Sequence, residues 1–335
     1  MLSAIVVFVG LSFLIIVHEL GHFGVAKYFN ILVEEFGLGF PPRLLKKKIG
    51  ETVYSINALP LGGFVKLHGE ILPPKNSHPV SDERAFINQK AGKKALVIIA
   101  GCLMNFLAGW LIISAVFWLG SPSIIIIESV AKNSPAETAG LKTGDIIRWE
   151  ETAESFNQFI NAHKGKNVDL KIQRERSGFD IAIVPRLESP QGEGPLGLAL
   201  RSGGVPRHGF FAGLYRGLVT SFLVVGGIFL GLYQIFLAPE MIVGPVGVFN
   251  IAVSTGNLGL VYVLQLLGFI SLNLMVLNIL PIPALDGGRL LFIILEKIRG
   301  KAFSPQAEMK ANAIGFIVLI SLIILITIKD ISVLF

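Results

Sequence analysis

Residues 2 to 17, LSAIVVFVGLSFLIIV, form an apolar run without a single charge that continues directly into His18-Glu19-Leu20-Gly21-His22. Together they supply about the twenty residues that a helix needs to cross a bilayer. Further apolar stretches follow at residues 95 to 119 and 311 to 328. Residues 205 to 298 are apolar almost throughout, with breaks at Pro239, at Gly244-Pro245-Val246-Gly247 and at the Pro281/Pro283 pair. With 52% hydrophobic and only 16% charged residues in a chain of 335, and a mean hydropathy of +0.67, the sequence reads as a polytopic α-helical membrane protein. A cleaved signal peptide is not expected, because no basic segment precedes the first apolar run and no small-residue cleavage site follows it.

The net charge of +6 does not point to nucleic acid: the basic residues flank apolar segments and form no stripe interleaved with aromatics. It points to a membrane surface. Residues 24 to 94 hold eleven Lys or Arg, including Lys46-Lys47-Lys48 and Lys93-Lys94, which makes this loop cytoplasmic and the amino terminus extracytoplasmic. The second span returns the chain outward, so the polar stretch 121 to 204 is expected to fold outside. Lys297, Arg299 and Lys301 mark a second cytoplasmic turn. Cys102 is the single cysteine, so the chain forms no internal disulfide, and any metal site must use nitrogen and oxygen ligands.

His18 and His22 stand at i and i+4, about 40° apart around a helix axis and one turn apart along it, so both imidazoles can reach one metal. Glu19 lies near enough to accept a proton from a metal-activated water while turned away from ligation. Polar groups on an apolar span cost about 2 to 3 kcal/mol each, so a cluster at that depth marks function. A catalytic zinc takes three protein ligands, so one more is required. His68, His78, His163 and His208 lie in polar or loop-like sequence and read as surface residues. In the apolar second half the conspicuous acid is Asp286, within Asn278-Ile279-Leu280-Pro281-Ile282-Pro283-Ala284-Leu285-Asp286-Gly287-Gly288. The prolines break the helix and bare backbone polar groups at membrane depth, which is tolerated around a protein-lined site. Taken alone, Asp286 reads equally well as the N-cap of a following helix.

The two motifs together resemble the bacterial site-2 proteases, intramembrane zinc metalloproteases that include the regulator of sigma-E protease. The resemblance covers nearly the whole chain. It implies a zinc ion held by His18, His22 and Asp286, with Glu19 as general base and Asn278 as a holder of substrate backbone. Leu59-Pro60-Leu61-Gly62-Gly63-Phe64-Val65-Lys66-Leu67 resembles the family's membrane-associated β-hairpin, and Gly244 to Val248 its GPVGV-like turn. An exposed strand edge captures an unwound segment by main-chain pairing; residues 53 to 67 are the best candidate for that edge, and within them Gly62, Gly63, Phe64 and Val65 are expected to bind substrate. In span two, Cys102 stands where the family usually has proline, ahead of Asn105. The implied substrates are single-span membrane proteins, such as truncated anti-sigma factors or remnant signal peptides, cut in the inner membrane near its cytoplasmic side.

Asn133-Ser134-Pro135-Ala136-Glu137-Thr138-Ala139-Gly140-Leu141-Lys142-Thr143-Gly144-Asp145-Ile146-Ile147 resembles a stretch of protease-associated PDZ domains, though Trp149-Glu150-Glu151 replaces the usual Asn-Gly. Residues 167 to 173 and 180 to 185 alternate as strands. The expected architecture is therefore a membrane region over 1–120, an extracytoplasmic PDZ-like α+β domain over 121–204, and a second membrane region over 205–335, with about four transmembrane helices. If Asp286 is to meet His18 and His22, an odd number of crossings must follow the outer domain. Residues 258 to 280 supply one, so 209 to 237 should lie along the surface or re-enter unless 238 to 257 cross back. Two other classes fit less well. An inactive zinc-stabilised scaffold has no use for Glu19 beside its ligands, and a transporter built on the broken helix should show an internal repeat.

Overall fold

The computed structural model describes residues 2–70, 83–149, 153–174, 177–190, 192–235, 244–301 and 303–334. Pro239, His78, Glu150 and Glu151, which the sequence reading singled out, lie outside them. Two compact units are present, one of residues Met1–Ser114, Leu214–Gly256 and Val263–Phe335, the other mainly of Ala115–Gly213.

In the first unit, apolar sequence makes helices because in lipid the backbone must satisfy its own hydrogen bonds. Helices α1 (Leu2–Tyr28) and α2 (Ala91–Leu119) precede the second unit. After it come α5 (Phe210–Ile235), α6 (Pro245–Leu258), α7 (Leu260–Ile279), α8 (Asp286–Arg299) and α9 (Pro305–Leu334). Among the described residues, five helices are long and apolar enough to cross a membrane: Val6–Tyr28, Ala91–Leu119, Phe210–Gln234, Leu260–Ile279 and Gln306–Ser332. The sequence reading expected about four, and α5 is the addition. Val7 and Leu14 of α1 pack with Val263 and Leu267 of α7, flanked by Ala108 and Ile112 of α2, so these three helices form the core of the unit. Helix α5 leans on α2 through Trp110, whose Nε1 donates to the Leu214 carbonyl at 3.0 Å, and leaves Phe222, Leu223 and Leu230 exposed. Helix α9 likewise exposes Ile314, Phe316, Ile317 and Leu325, a surface suited to lipid. Its Asp330 accepts the amides of Gly244 and Gly247 at 3.3 and 2.8 Å, a carboxylate set at the positive end of α6.

Between α1 and α2 run two long antiparallel strands, β1 (Val33–Ile49) and β2 (Thr52–Leu67), turning at Gly50-Glu51. The sequence had marked residues 59 to 67 as hairpin and 53 to 67 as a candidate strand edge, and had not marked β1. Residues 35 to 38 pair on one side with 63 to 66 and on the other with 53 to 56, while 43 to 49 pair with 52 to 57. Among the described residues, 63 to 66 pair on one side only, so they form an edge. Glu35 binds the sheet internally: it accepts from Arg43 at 2.7 and 2.8 Å and from the Ser55 hydroxyl at 2.6 Å. Ala26, Ile31, Val33, Leu67 and Val97 bury together and anchor the sheet to α1 and α2.

The second unit is a five-stranded antiparallel sheet in the order β6-β5-β4-β3-β7, with β3 at Ser121–Val130, β4 at Ile146–Ile147, β5 at Val168–Arg174, β6 at Ser177–Ile183 and β7 at Leu198–Val205. Helices α3 (Pro135–Thr138) and α4 (Ala153–Ala162) complete it. The alternation of β5 buries Val168, Leu170 and Ile172 against Phe156 and Ile160 of α4. Helix α3 is N-capped by Ser134, which accepts from the Glu137 amide at 3.2 Å, while the Glu137 carboxylate accepts from the Asn133 amide at 2.6 Å. Buried Asp145 accepts two bonds of 2.7 Å from Arg174 and one of 2.9 Å from the Lys142 amide. Burial alone would raise its pKa, but the Arg174 and Lys142 bonds outweigh it and hold the carboxyl below its ordinary value.

Candidate active site

Helix α1 sets His18 and His22 on one face, with their rings edge to face at 4.7 Å between centroids. The helix breaks at Pro281 and Pro283, so α7 ends at Ile279 and α8 starts at Asp286. The connecting loop is held by α9: Asn312 Oδ1 accepts from the Ala284 amide at 3.0 Å, and Ala284 adopts a left-handed φ of 79°. Leu285 takes the N-cap position and Asp286 the first helical one, so Asp286 is not the cap that the sequence alone allowed. A side chain at Gly287 would collide with the Ile279 and Leu280 carbonyls, so glycine lets α8 fold back against the end of α7.

These elements bring three ligand atoms together. His18 Nε2 lies 3.1 Å from His22 Nε2 and 3.0 Å from Asp286 Oδ2, and His22 Nε2 lies 3.3 Å from the same oxygen. His22 Nδ1 donates to the Val97 carbonyl at 2.8 Å, which leaves a lone pair on Nε2. Asp286 Oδ2 is buried, and despite its two close nitrogens it accepts no bond of hydrogen-bond geometry. Two imidazole nitrogens and a carboxylate oxygen thus face one point. Ligands of a tetrahedral zinc, at about 2.0 to 2.1 Å from the metal, stand roughly 3.3 Å apart, so the triangle fits a zinc ion. Among the described residues this is the single cluster of His, Cys, Asp and Glu able to hold a metal.

Glu19 lines an adjoining cleft of about 460 Å³, which His22 and Asp286 also face. Phe64 and Val65 of the β2 edge form one wall, with Arg289 of α8 ion-paired to Glu70 in the turn after β2. Gly63 packs against Glu19, since a Cβ there would stand 3.1 Å from Glu19 Cγ. Gly62, at φ 126°, does not line the cleft, nor does Asn278, half-buried in the last turn of α7. A larger hollow of about 600 Å³ at Trp118, His208 and Phe210, in the second unit, contains no metal-ligand set. His68 is ion-paired to Glu34 at 2.7 Å and His163 bonds the Phe159 carbonyl at 2.8 Å, so neither joins the cluster.

Sequence reasoning missed the partners that α2 supplies. Besides Val97, Asn105 places Nδ2 3.2 Å from His18 Nδ1, and Gly101 lies beneath both rings, where a Cβ would overlap them. It also missed Arg289 and Glu70.

The sequence profile described as Peptidase family M50 matches residues 6–322. The zinc metalloprotease RasP of Shouchella clausii is 31% identical over 97% of this chain and 97% of its own length. RasP of Geobacillus kaustophilus is 30% identical over 99% and 97%. The regulator of sigma-W protease RasP of Bacillus subtilis is 28% identical over 96% of each chain.

Proposed function

The chain belongs to peptidase family M50 and is an intramembrane zinc metalloprotease, and from that premise we propose that it cuts single-span membrane proteins with His18, His22 and Asp286 as the zinc ligands and Glu19 as the general base. The observation that carries this reading is the triangle of His18 Nε2, His22 Nε2 and Asp286 Oδ2 at 3.0 to 3.3 Å, beside a cleft lined by Glu19. Bound zinc supplies Lewis acidity, acidifying a water and polarising the scissile carbonyl. Glu19 takes the water's proton onto its carboxylate as the oxygen attacks the carbonyl carbon, then returns a proton to the departing amine as the C–N bond breaks. Val97 orients His22, and Phe64 and Val65 wall the cleft in which the substrate bond would lie.

A substrate helix hides its peptide bonds in its own ladder, so it must unwind locally before it can be cut. The one-sided pairing of residues 63 to 66, with Gly63 against Glu19, supports capture of the extended segment on this edge. Asn278 is assigned to the substrate backbone on the family pattern alone. The substrate class is a truncated anti-sigma factor or a remnant signal peptide, in keeping with the sigma-W regulator among the relatives.

The basic residues of 24 to 94 support an inner-membrane orientation with the amino terminus and residues 121 to 204 outside and the zinc site near the cytoplasmic side. Residues 121 to 204 are assigned as a PDZ-like domain on their motif, a reading that the capped α3 and the five-stranded sheet support. Helix α6, at about 21 Å, is too short to cross a core of about 30 Å alone. Hence α5 lies along the membrane, or the chain crosses back between α5 and α7. Either way Gly256 lies outside, and cysteine labelling that placed it in the cytoplasm would contradict both arrangements. The function is tested by incubating the purified protein with a single-span substrate, with and without a chelator. Cleavage that stops on chelation and returns with zinc is expected, and chelator-resistant cleavage overturns the reading.

A further inference from the structure

Asn105 is a fully polar side chain in the apolar interior of α2, 1% exposed. Such a group is costly in a membrane unless its hydrogen bonds are met. Its backbone carbonyl accepts the Ser271 hydroxyl of α7 at 2.7 Å, and its Nδ2 stands 3.2 Å from His18 Nδ1. Its Oδ1 is buried and has no partner.

The chemistry of the ligand set decides which amide atom belongs against His18. If Nε2 of His18 offers its lone pair to zinc, the ring hydrogen sits on Nδ1, which becomes a donor. An amide NH₂ facing it opposes donor to donor, while the orphaned Oδ1 is the acceptor that the ring requires. Oxygen and nitrogen of an amide are isosteric, so a half-turn about Cβ–Cγ exchanges them without moving the helix.

We propose that Asn105 is a positioning residue for the metal site: its Oδ1 accepts the His18 Nδ1 hydrogen and so fixes the tautomer and tilt of that imidazole. This inference rests on the reading of His18 as a zinc ligand. Helix α2 then serves both histidines from one face. Val97 holds His22 at one end, Asn105 holds His18 at the other, and Gly101 between them leaves room for the rings. Ser271 fixes the α2 backbone at Asn105 from the α7 side.

The test is zinc affinity, measured by competition with a chromophoric chelator on the purified full-length protein, for wild type, Asn105→Ala, Asn105→Asp and His18→Ala. Asn105→Ala is expected to weaken zinc binding by about 10- to 100-fold, the usual effect of losing such a support. Asn105→Asp retains an acceptor and is expected to stay within a few-fold of wild type. A tenfold or greater loss in Asn105→Asp overturns the proposal by showing that the amide donates, and wild-type affinity in Asn105→Ala overturns it equally. Should Asn105→Ala fail to fold, the Asp variant alone decides. His18→Ala separates the premise from the proposal: unchanged affinity there refutes His18 as a ligand, whereas a large loss there with none in Asn105→Ala refutes only the support.

Discussion

At the scale of single residues, each proposed ligand atom is one corner of a triangle whose sides differ by only a few tenths of an ångström. Asp286→Ala removes the oxygen corner and leaves two imidazoles, so the purified variant is expected to lose both zinc, measured by elemental analysis, and turnover. Stoichiometric zinc in that variant would remove Asp286 from the ligand set. His18 and His22 were legible in the sequence because one helix carries both and its periodicity fixes their common face. Asp286 stood out as an acid beside prolines in an apolar half, yet its residues alone fitted a helix cap as well, and only the resemblance favoured a ligand. Val97 could not be read, because it acts through its backbone carbonyl. Asn105 carried a signal as a polar residue inside an apolar span, but spacing and hydropathy did not reveal that it meets His18.

At the scale of elements, the sheet beside the site is larger than its sequence signal. Residues 59 to 67 were recognisable by resemblance, but their pairing with 35 to 38 depends on how β1 turns, through the irregular register around Phe40 to Leu45. The α-helices were easier, because a long apolar run has one stable form in lipid. Strand β6 begins at Ser177, three residues before the alternation near 180 suggested, since its pairing with β5 extends to Arg174. Proline at Val65 should impair the edge: it removes one amide donor, worth about 0.5 to 1.5 kcal/mol, or about a 2- to 12-fold fall in cleavage. Zinc content should not change. Wild-type cleavage by a folded Val65→Pro protein would count against capture by this edge.

At the scale of the whole molecule, hydrolysis is assigned to residues of the first unit, and among the described residues the second unit contributes no metal-ligand cluster. Its expected role is substrate admission. Replacing residues 123 to 202 by a short flexible linker should preserve cleavage of a substrate already trimmed on its outer side and abolish discrimination against the untrimmed form. Discrimination unaltered by the deletion would leave the unit as a spacer or docking site. The number of crossings was the least legible feature, because α5 has the length and apolarity of a span while parity with Asp286 argues against counting it. The assignment of Glu19 as the base of a zinc site separates a protease from a zinc-stabilised scaffold, and Glu19→Gln tests it with least disturbance. The amide is nearly isosteric but cannot take the water's proton. Measured side by side with wild type on one purified preparation, the variant is predicted to retain its zinc and to cleave a single-span substrate at least about 100-fold more slowly. Zinc retained together with wild-type turnover would contradict the account.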